Sequence, residues 1–436
     1  MTSPTVQDKP PGDRRSKYLV YFLLLLNILN FVDRQLVASL AYQIEQALDI
    51  GHAEFGLLFG YAFIVFYTFM GVLLGTVADR WNRPRLIAIG LTVWSLLTAV
   101  SGAAQRFGHM VVARMLVGVG EATLTPAALS MLNDALPPEK RSRAAGIYYA
   151  GSPIGFAASL FVTALLEPII GWRGCFYVLG LLGLFLVIPT LLLRDPPRRA
   201  IRDQQLELNG DQENLTTWAS IKLLLRTIKE IPSFSLTLIG GCIAVYFQNA
   251  MNFLVLWMQA ERGFDLQQAT TRMGMMVIVG GVLGSLVGGY VGDWWEARKE
   301  GGRLYFASIA FLFVAPLGCI YLFADPNTQP WLFYPPLALT MAISMTMFGP
   351  VFTVVQDLAP PQISATSVGF ALFCFNVFGV GLGPLVTGWI GDLHSLTMGL
   401  LVSVFIGTFS VIPFYLAARR FGKDQKRLEA IRDLRG

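Results

Sequence analysis

The residues best placed to do chemistry are two neighbouring charges inside the first apolar run of the chain. They are Asp33 and Arg34, in Asn30-Phe31-Val32-Asp33-Arg34, with Tyr21-Phe22-Leu23-Leu24-Leu25-Leu26 before them and Leu36-Val37-Ala38 after. An ionised side chain at membrane depth costs roughly 2.5–3.5 kcal/mol even on the mildest scales, so it persists only with a partner or a task. The fourth apolar run carries two more charges, Arg114 and Glu121. Seven residues apart, these share one helix face, about 10 Å from each other along the axis. A carboxylate beside guanidinium groups gains or loses a proton as a movement adds or removes those neighbours. Reversible proton binding, with no covalent step, is therefore the chemistry expected of this quartet.

Depth along the helices suggests who meets whom. Asp33 and Arg114 both fall some 8–11 Å below the outer boundary at roughly 1.5 Å per residue, and Glu121 falls near mid-membrane. Asp33 is accordingly expected to pair with Arg114. Arg34 shares a stripe with Asn27 and Asn30 and is expected to face a central cavity or Glu121. It points about 100° away from Asp33, so the two neighbours do not neutralise each other. A permanent Asp33–Arg114 pair locking two helices is the purely structural alternative.

Such charges need a polytopic membrane scaffold, and the composition supplies one. The chain has 436 residues, of which 54% are hydrophobic and 14% charged, with mean hydropathy +0.56. Soluble domains carry about 25% charged residues. Spans of about 20 apolar residues are read at 18–40, 54–78, 86–105, 109–134, 143–166 and 173–193. A second set follows at 234–259, 269–293, 303–324, 331–357, 364–390 and 396–418. The fold class is thus all-α, with twelve transmembrane helices in two six-helix bundles. Long continuous runs exclude an outer-membrane barrel, whose strands alternate.

The domain reading is a cytoplasmic tail over 1–17, an N-terminal bundle over 18–193, a cytoplasmic linker over 194–232, a C-terminal bundle over 233–418 and a tail over 419–436. Within the linker, Trp218–Ile228 is expected to form a short surface helix. Lys and Arg concentrate in the tails, the linker and loops 2–3, 4–5 and 8–9, while the opposite face carries only Arg106, Arg173, Arg262 and Arg272. By the positive-inside rule, both termini are cytoplasmic. The net charge of +5 reflects this topology, and no nucleic-acid partner is implied. The first apolar run holds Asp33 and Arg34 and lacks a cleavage site, so it is expected to stay as a membrane helix. The four cysteines show no pairing, metal or redox spacing, and the histidines His52, His109 and His394 fall at outer loops, where exposed-surface roles are expected.

The two halves repeat each other. Asn27-x-x-Asn30-Phe31 recurs as Asn249-x-x-Asn252-Phe253, Asp134-Ala-Leu-Pro-Pro as Asp357-Leu-Ala-Pro-Pro, and Gly75-x-x-x-Asp79 as Gly289-x-x-x-Asp293. Three matches in the same order indicate parallel repeats. In that register Asp33 and Arg34 align with Val255 and Leu256, Arg114 with Leu337 and Glu121 with Ser344. The charges belong to one half alone, which favours a function over a strut that the fold requires.

This pattern resembles the major facilitator superfamily over nearly the whole chain. Gly75-Thr-Val-Ala-Asp79-Arg80-Trp-Asn82-Arg83 resembles its loop 2–3 signature, with Asn82 where glycine is usual and, in the second copy, Trp294 where arginine is usual. More narrowly, Asn30-Phe31-Val32-Asp33-Arg34 together with Arg114-Met-Leu-Val-Gly-Val-Gly-Glu121-Ala resembles a bacterial member of the spinster family. That resemblance implies lipid-like substrates, such as lysophospholipids or sphingosine phosphate, and proton dependence.

The signature loop is expected to act as a conformational latch, formed by Gly75, Asp79, Arg80, Arg83, Asp134 and Asp293. Asp79 would meet the start of the eleventh span and Arg83 would reach Asp134 or a lipid phosphate, closing the cytoplasmic side. Asn27, Asn30, Tyr61, Tyr148, Tyr149, Asn249, Asn252 and Trp257 are candidates to line the substrate cavity, although Asn is also ordinary interhelical glue. The expectation is a proton-coupled secondary transporter of an amphiphilic substrate, working by alternating access in a bacterial inner membrane. It would act as a monomer with the bilayer and the substrate as partners and no cofactor besides protons. A transporter of small organic anions or drugs is the alternative, with Arg34 and Arg114 as anion clamps. No nucleotide loop, metal cluster or nucleophile constellation points to an enzyme.

Overall fold

A computed structural model describes residues 13–78, 80–197 and 217–433, and these form helices joined by short turns. Among the described residues, eleven helices are long and apolar enough to cross a membrane: Ser16–Ser39 (α1), His52–Ala78 (α2), Arg83–Gly102 (α3), Phe107–Ala135 (α4), Arg143–Leu191, Pro232–Arg262 (α7), Leu266–Glu296 (α8), Gly302–Phe323 (α9), Pro330–Asp357 (α10), Thr366–Leu393 (α11) and Leu396–Leu428 (α12). The helix Arg143–Leu191 is 49 residues long, about 73 Å at 1.5 Å per residue, more than twice the hydrocarbon thickness. It breaks at Gly171, whose φ of 68° suits glycine. The part before the break is α5 and the part after it α6, which gives twelve spans.

All-helical spanning follows from the solvent, because lipid offers backbone groups no partners and each must be satisfied within its own helix. Large apolar side chains such as Leu165, Ile169, Phe185 and Leu286 face outward, as a hydrocarbon environment requires. Inside each half the helices interlock closely. Asn27 of α1 donates to the Tyr148 carbonyl of α5 at 2.7 Å, the kind of interhelical bond that holds membrane bundles together.

Both fourth helices bend at the same place. The first interrupts after Glu121 and resumes at Leu124, and α10 interrupts after Met345 and resumes at Phe348. Pro126 and Pro350 follow these breaks, and proline removes one backbone donor and kinks a helix. The linker contributes a helix over Thr217–Glu230 packed against the start of α7 and the start of α11, close to the expected Trp218–Ile228.

The halves meet unevenly. At the end opposite the termini, the first two turns of α2 pack tightly on the last turns of α11, and a short helix after α1, Ala41–Leu48, lies against α7. Further along, α2 meets α11 at Phe375–Gly381. A side-chain carbon added at Gly71 of α2 or Gly369 of α11 would meet open space.

Candidate functional site

The quartet of charges comes together between α1, α2, α3 and α4, with the expected meeting of Arg34 and Glu121 but without the expected Asp33–Arg114 pair. Arg34 makes the ion pair, with Nη2 3.0 Å and Nε 3.3 Å from Glu121 Oε2. Its guanidinium lies 4.4 Å from the Tyr67 ring centre, 4.7 Å from Phe63 and 4.9 Å from Phe31. Three ring faces around one cation supply attraction while keeping water away. Arg34 is 20% exposed at its side chain and Glu121 fully covered, so the arginine is the accessible member of the pair.

Asp33 does not make the expected contact with Arg114. It is wholly buried and neither carboxylate oxygen has a hydrogen-bond partner. Arg114, also buried, leaves Nε and Nη1 without acceptors and rests 5.2 Å from the Phe63 ring centre. Depth alone had set the pairing, yet the angle around each helix decides contact. The aromatic box draws Arg34 to Glu121, and Phe63 takes the face of Arg114. The indole nitrogen of Trp94 on α3 lies beside Asp33, outside strict hydrogen-bond geometry. Orphaned polar atoms of this kind are rare and costly in a settled core.

The expected cavity residues divide. Asn30 sits beside Arg34, its Oδ1 3.5 Å from Nη2. Tyr149 is exposed and stacks edge-on against Tyr148. Tyr61 crosses between the halves, donating to the Val377 carbonyl at 3.0 Å. Asn252 accepts from Gln35 at 2.7 Å, joining α1 to α7, and Asn249 donates to Val245 of its own helix at 2.9 Å. Gln35 and Asn252 share a small cavity between the halves with Phe156, Leu160, Met251 and Met273. Two expectations are corrected. Tyr148 is fully buried, with its hydroxyl at Thr125. Trp257 is fully buried too, stacked on Phe333 and donating to Thr397 at 2.8 Å. Both rings pack inside their own half, and Asn27 likewise serves as glue.

The family model described as Major Facilitator Superfamily matches residues 23–380. The chain belongs to this superfamily. An "MFS-type efflux pump" of Mycolicibacterium smegmatis is 28% identical over 422 residues, covering 95% of each protein. "Protein spinster" of Drosophila melanogaster is 24% identical over 392 residues, covering 87% of this chain and 62% of that protein. A crystal structure of a bacterial homologue of the human lysosomal transporter spinster, inward-facing and unoccupied, matches with a TM-score of 0.84 at 21% identity, over 95% of this chain and 99% of that one. The protein is therefore an integral membrane transporter of major facilitator fold, similar to spinster proteins, and not an enzyme.

In this major facilitator the signature loop builds a clamp in each half. Arg83 is fully buried. Its side chain donates to Asp134, to Asp195 Oδ1 at 2.7 Å, to Ser130 at 3.0 Å and to the Pro196 carbonyl at 2.6 Å. In the C-half, Arg303 bonds Asp293 at 2.8 Å and Asp357 at 3.0 Å. The Asp134 and Asp357 pairings mirror the sequence repeat. Each clamp stays within its own bundle. Gly75 has Pro126 as its neighbour, Arg80 is exposed, and Asp79 lies outside the described residues. Sequence reasoning missed Phe31, Phe63 and Tyr67 as the box around Arg34. Their spacing was the available signal, since Phe63 and Tyr67 lie four apart on one helix face. It also missed His52, which is half-buried and whose ring contacts Glu45 at 2.9 Å.

Proposed function

We propose that the protein is a proton-coupled secondary transporter that moves an amphiphilic, lipid-like substrate by alternating access. It would work as a monomer in a bacterial inner membrane, with both termini and the linker cytoplasmic. The observation that carries this reading is Asp33, a fully buried carboxyl without a hydrogen-bond partner beside an arginine that also lacks acceptors. An ionised group in that setting is costly, and taking a proton removes the cost. A movement that swung Arg114 onto Asp33 would release the proton. Binding and release would thus follow the conformation, which is what coupling requires.

Arg34 supports the substrate half of the reading. It is partly exposed within an aromatic box, a setting that suits an anionic headgroup next to apolar surface. The likeness to spinster proteins and the basic residues at one end support the substrate class and the orientation. The test is lysophospholipid uptake into proteoliposomes, with and without a pH gradient, by wild type and Asp33→Asn. Gradient-stimulated uptake that loses its pH response in the variant is the expected result. A full pH response in Asp33→Asn would make Asp33 a structural group. Wild type that moves no lysolipid but binds small carboxylates would favour the organic-anion alternative.

A further inference from the structure

At the rim opposite the termini, a carboxylate from one half seats on the first turn of a helix in the other. Asp392, at the end of α11, accepts from the backbone N–H of His52 at 2.7 Å and of Ala53 at 2.8 Å, the first residues of α2. These residues are 340 and 339 apart in sequence. A carboxylate at a helix N-terminus is favourable because unpaired N–H groups and the helix dipole meet it there. The same turn is held from its own half, where the His52 ring contacts both oxygens of buried Glu45 at 2.9 and 3.0 Å. Below the rim the backbones touch. A side-chain carbon at Gly388 of α11 would overlap the His52 carbonyl oxygen, and one at Gly56 of α2 would overlap the Pro384 carbonyl oxygen. Tyr61 to Val377 at 3.0 Å and Asn376 to Thr68 at 2.9 Å continue the seam inward. Past them, a side-chain carbon at Gly71 or Gly369 would meet open space.

We propose that Asp392, together with Gly56 and Gly388, closes the end opposite the termini, and that this end opens only when the Asp392 cap on α2 is broken. The inference rests on the alternating-access reading but not on the substrate or on protons. The construction suits a reversible closure. One charge-assisted cap sits at the wet rim, and beneath it backbone meets backbone at Gly56 and Gly388. Other acids nearby are committed elsewhere, with Glu261 bonding Leu396 and Thr397, and Glu54 bonding Gly51. Asp392 is thus a positioning residue for the transport cycle and does not touch the cargo.

The experiment is a distance measurement between spin labels at Ala47→Cys and Met398→Cys, on opposite halves, in the full chain with its four native cysteines replaced by alanine and reconstituted in liposomes without substrate. The unmodified seam should give a single short distance. Asp392→Asn, which keeps the shape but loses the charge, should raise the long-distance fraction up to about tenfold. Gly388→Ala should raise it further, whereas Gly369→Ala, on the same helix but in open space, should leave it unchanged. Folded Asp392→Asn protein with an unaltered distance distribution would overturn the proposal. Should Gly388→Ala fail to fold, Asp392→Asn decides alone, because that side chain is exposed. A shifted distance in protein that moves no lysolipid would keep the seam and reject the substrate reading, so the two fail separately.

Discussion

The two halves share a plan yet differ in what fills it. Each has a fourth helix broken ahead of a proline and an arginine clamp on an aspartate. In the N-half, the interior at the break holds Asp33, Arg34, Arg114 and Glu121. In the C-half, the aligned Val255, Leu256, Leu337 and Ser344 are buried and, apart from one hydroxyl bonded to its own helix, apolar. Beside them Trp257, Phe333 and Tyr321 pack ring against ring. The bend therefore belongs to the scaffold, and the charges are an addition to one copy. One half holds buried charge at its break, and the other fills the same place with packed apolar side chains.

The clamps give the largest predicted contrast. Arg83 is buried with four acceptors, so Arg83→Ala should cost about 3–5 kcal/mol by leaving Asp134 without its partner. Arg303 is 20% exposed and faces exposed carboxylates, so Arg303→Ala should cost about 1 kcal/mol or less. Melting curves in one detergent check both, and equal losses would break the comparison. Next, Glu121→Gln should slow transport at least tenfold, since a charge-assisted bond to Arg34 contributes about 1.5–3 kcal/mol. Its C-half counterpart, Ser344→Ala, should stay within about twofold, because that hydroxyl only bonds the Met341 carbonyl of its own helix. Similar transport losses in the two would mean that the charged interior does no special work. The smallest effect is expected from Trp257→Phe, which loses the bond to Thr397 but keeps the ring stack. It should lower stability by about 1 kcal/mol and leave the pH response of uptake intact.

Much of this was legible in the sequence. Apolar runs gave the spans, because lipid permits helices and little else, and the internal repeat gave the register that sets Glu121 against Ser344. The charges stood out because membrane depth makes them expensive. Pairing was less legible. Residue counting fixes depth but says nothing about the aromatic rings that hold Arg34 on Glu121 and leave Asp33 without a partner. Tyr148 and Trp257 were misplaced because an aromatic residue in an apolar helix looks the same whether it lines a cavity or fills a core. His52 looked like a surface residue because nothing near it in sequence announces Asp392, 340 residues away, as its backbone's partner.

The Arg83 clamp has one more consequence. By bonding Asp195 and Pro196 it nails the chain leaving α6 to the N-half. The helix Thr217–Glu230 is nailed to the C-half in turn, its Glu230 carbonyl accepting from Arg427 at 3.0 Å. Residues 198–216 join these two staples. The halves also hold each other directly, through Gln35–Asn252, His52–Asp392 and Tyr61–Val377, so co-expressed as separate polypeptides cut between 198 and 216 they should still assemble.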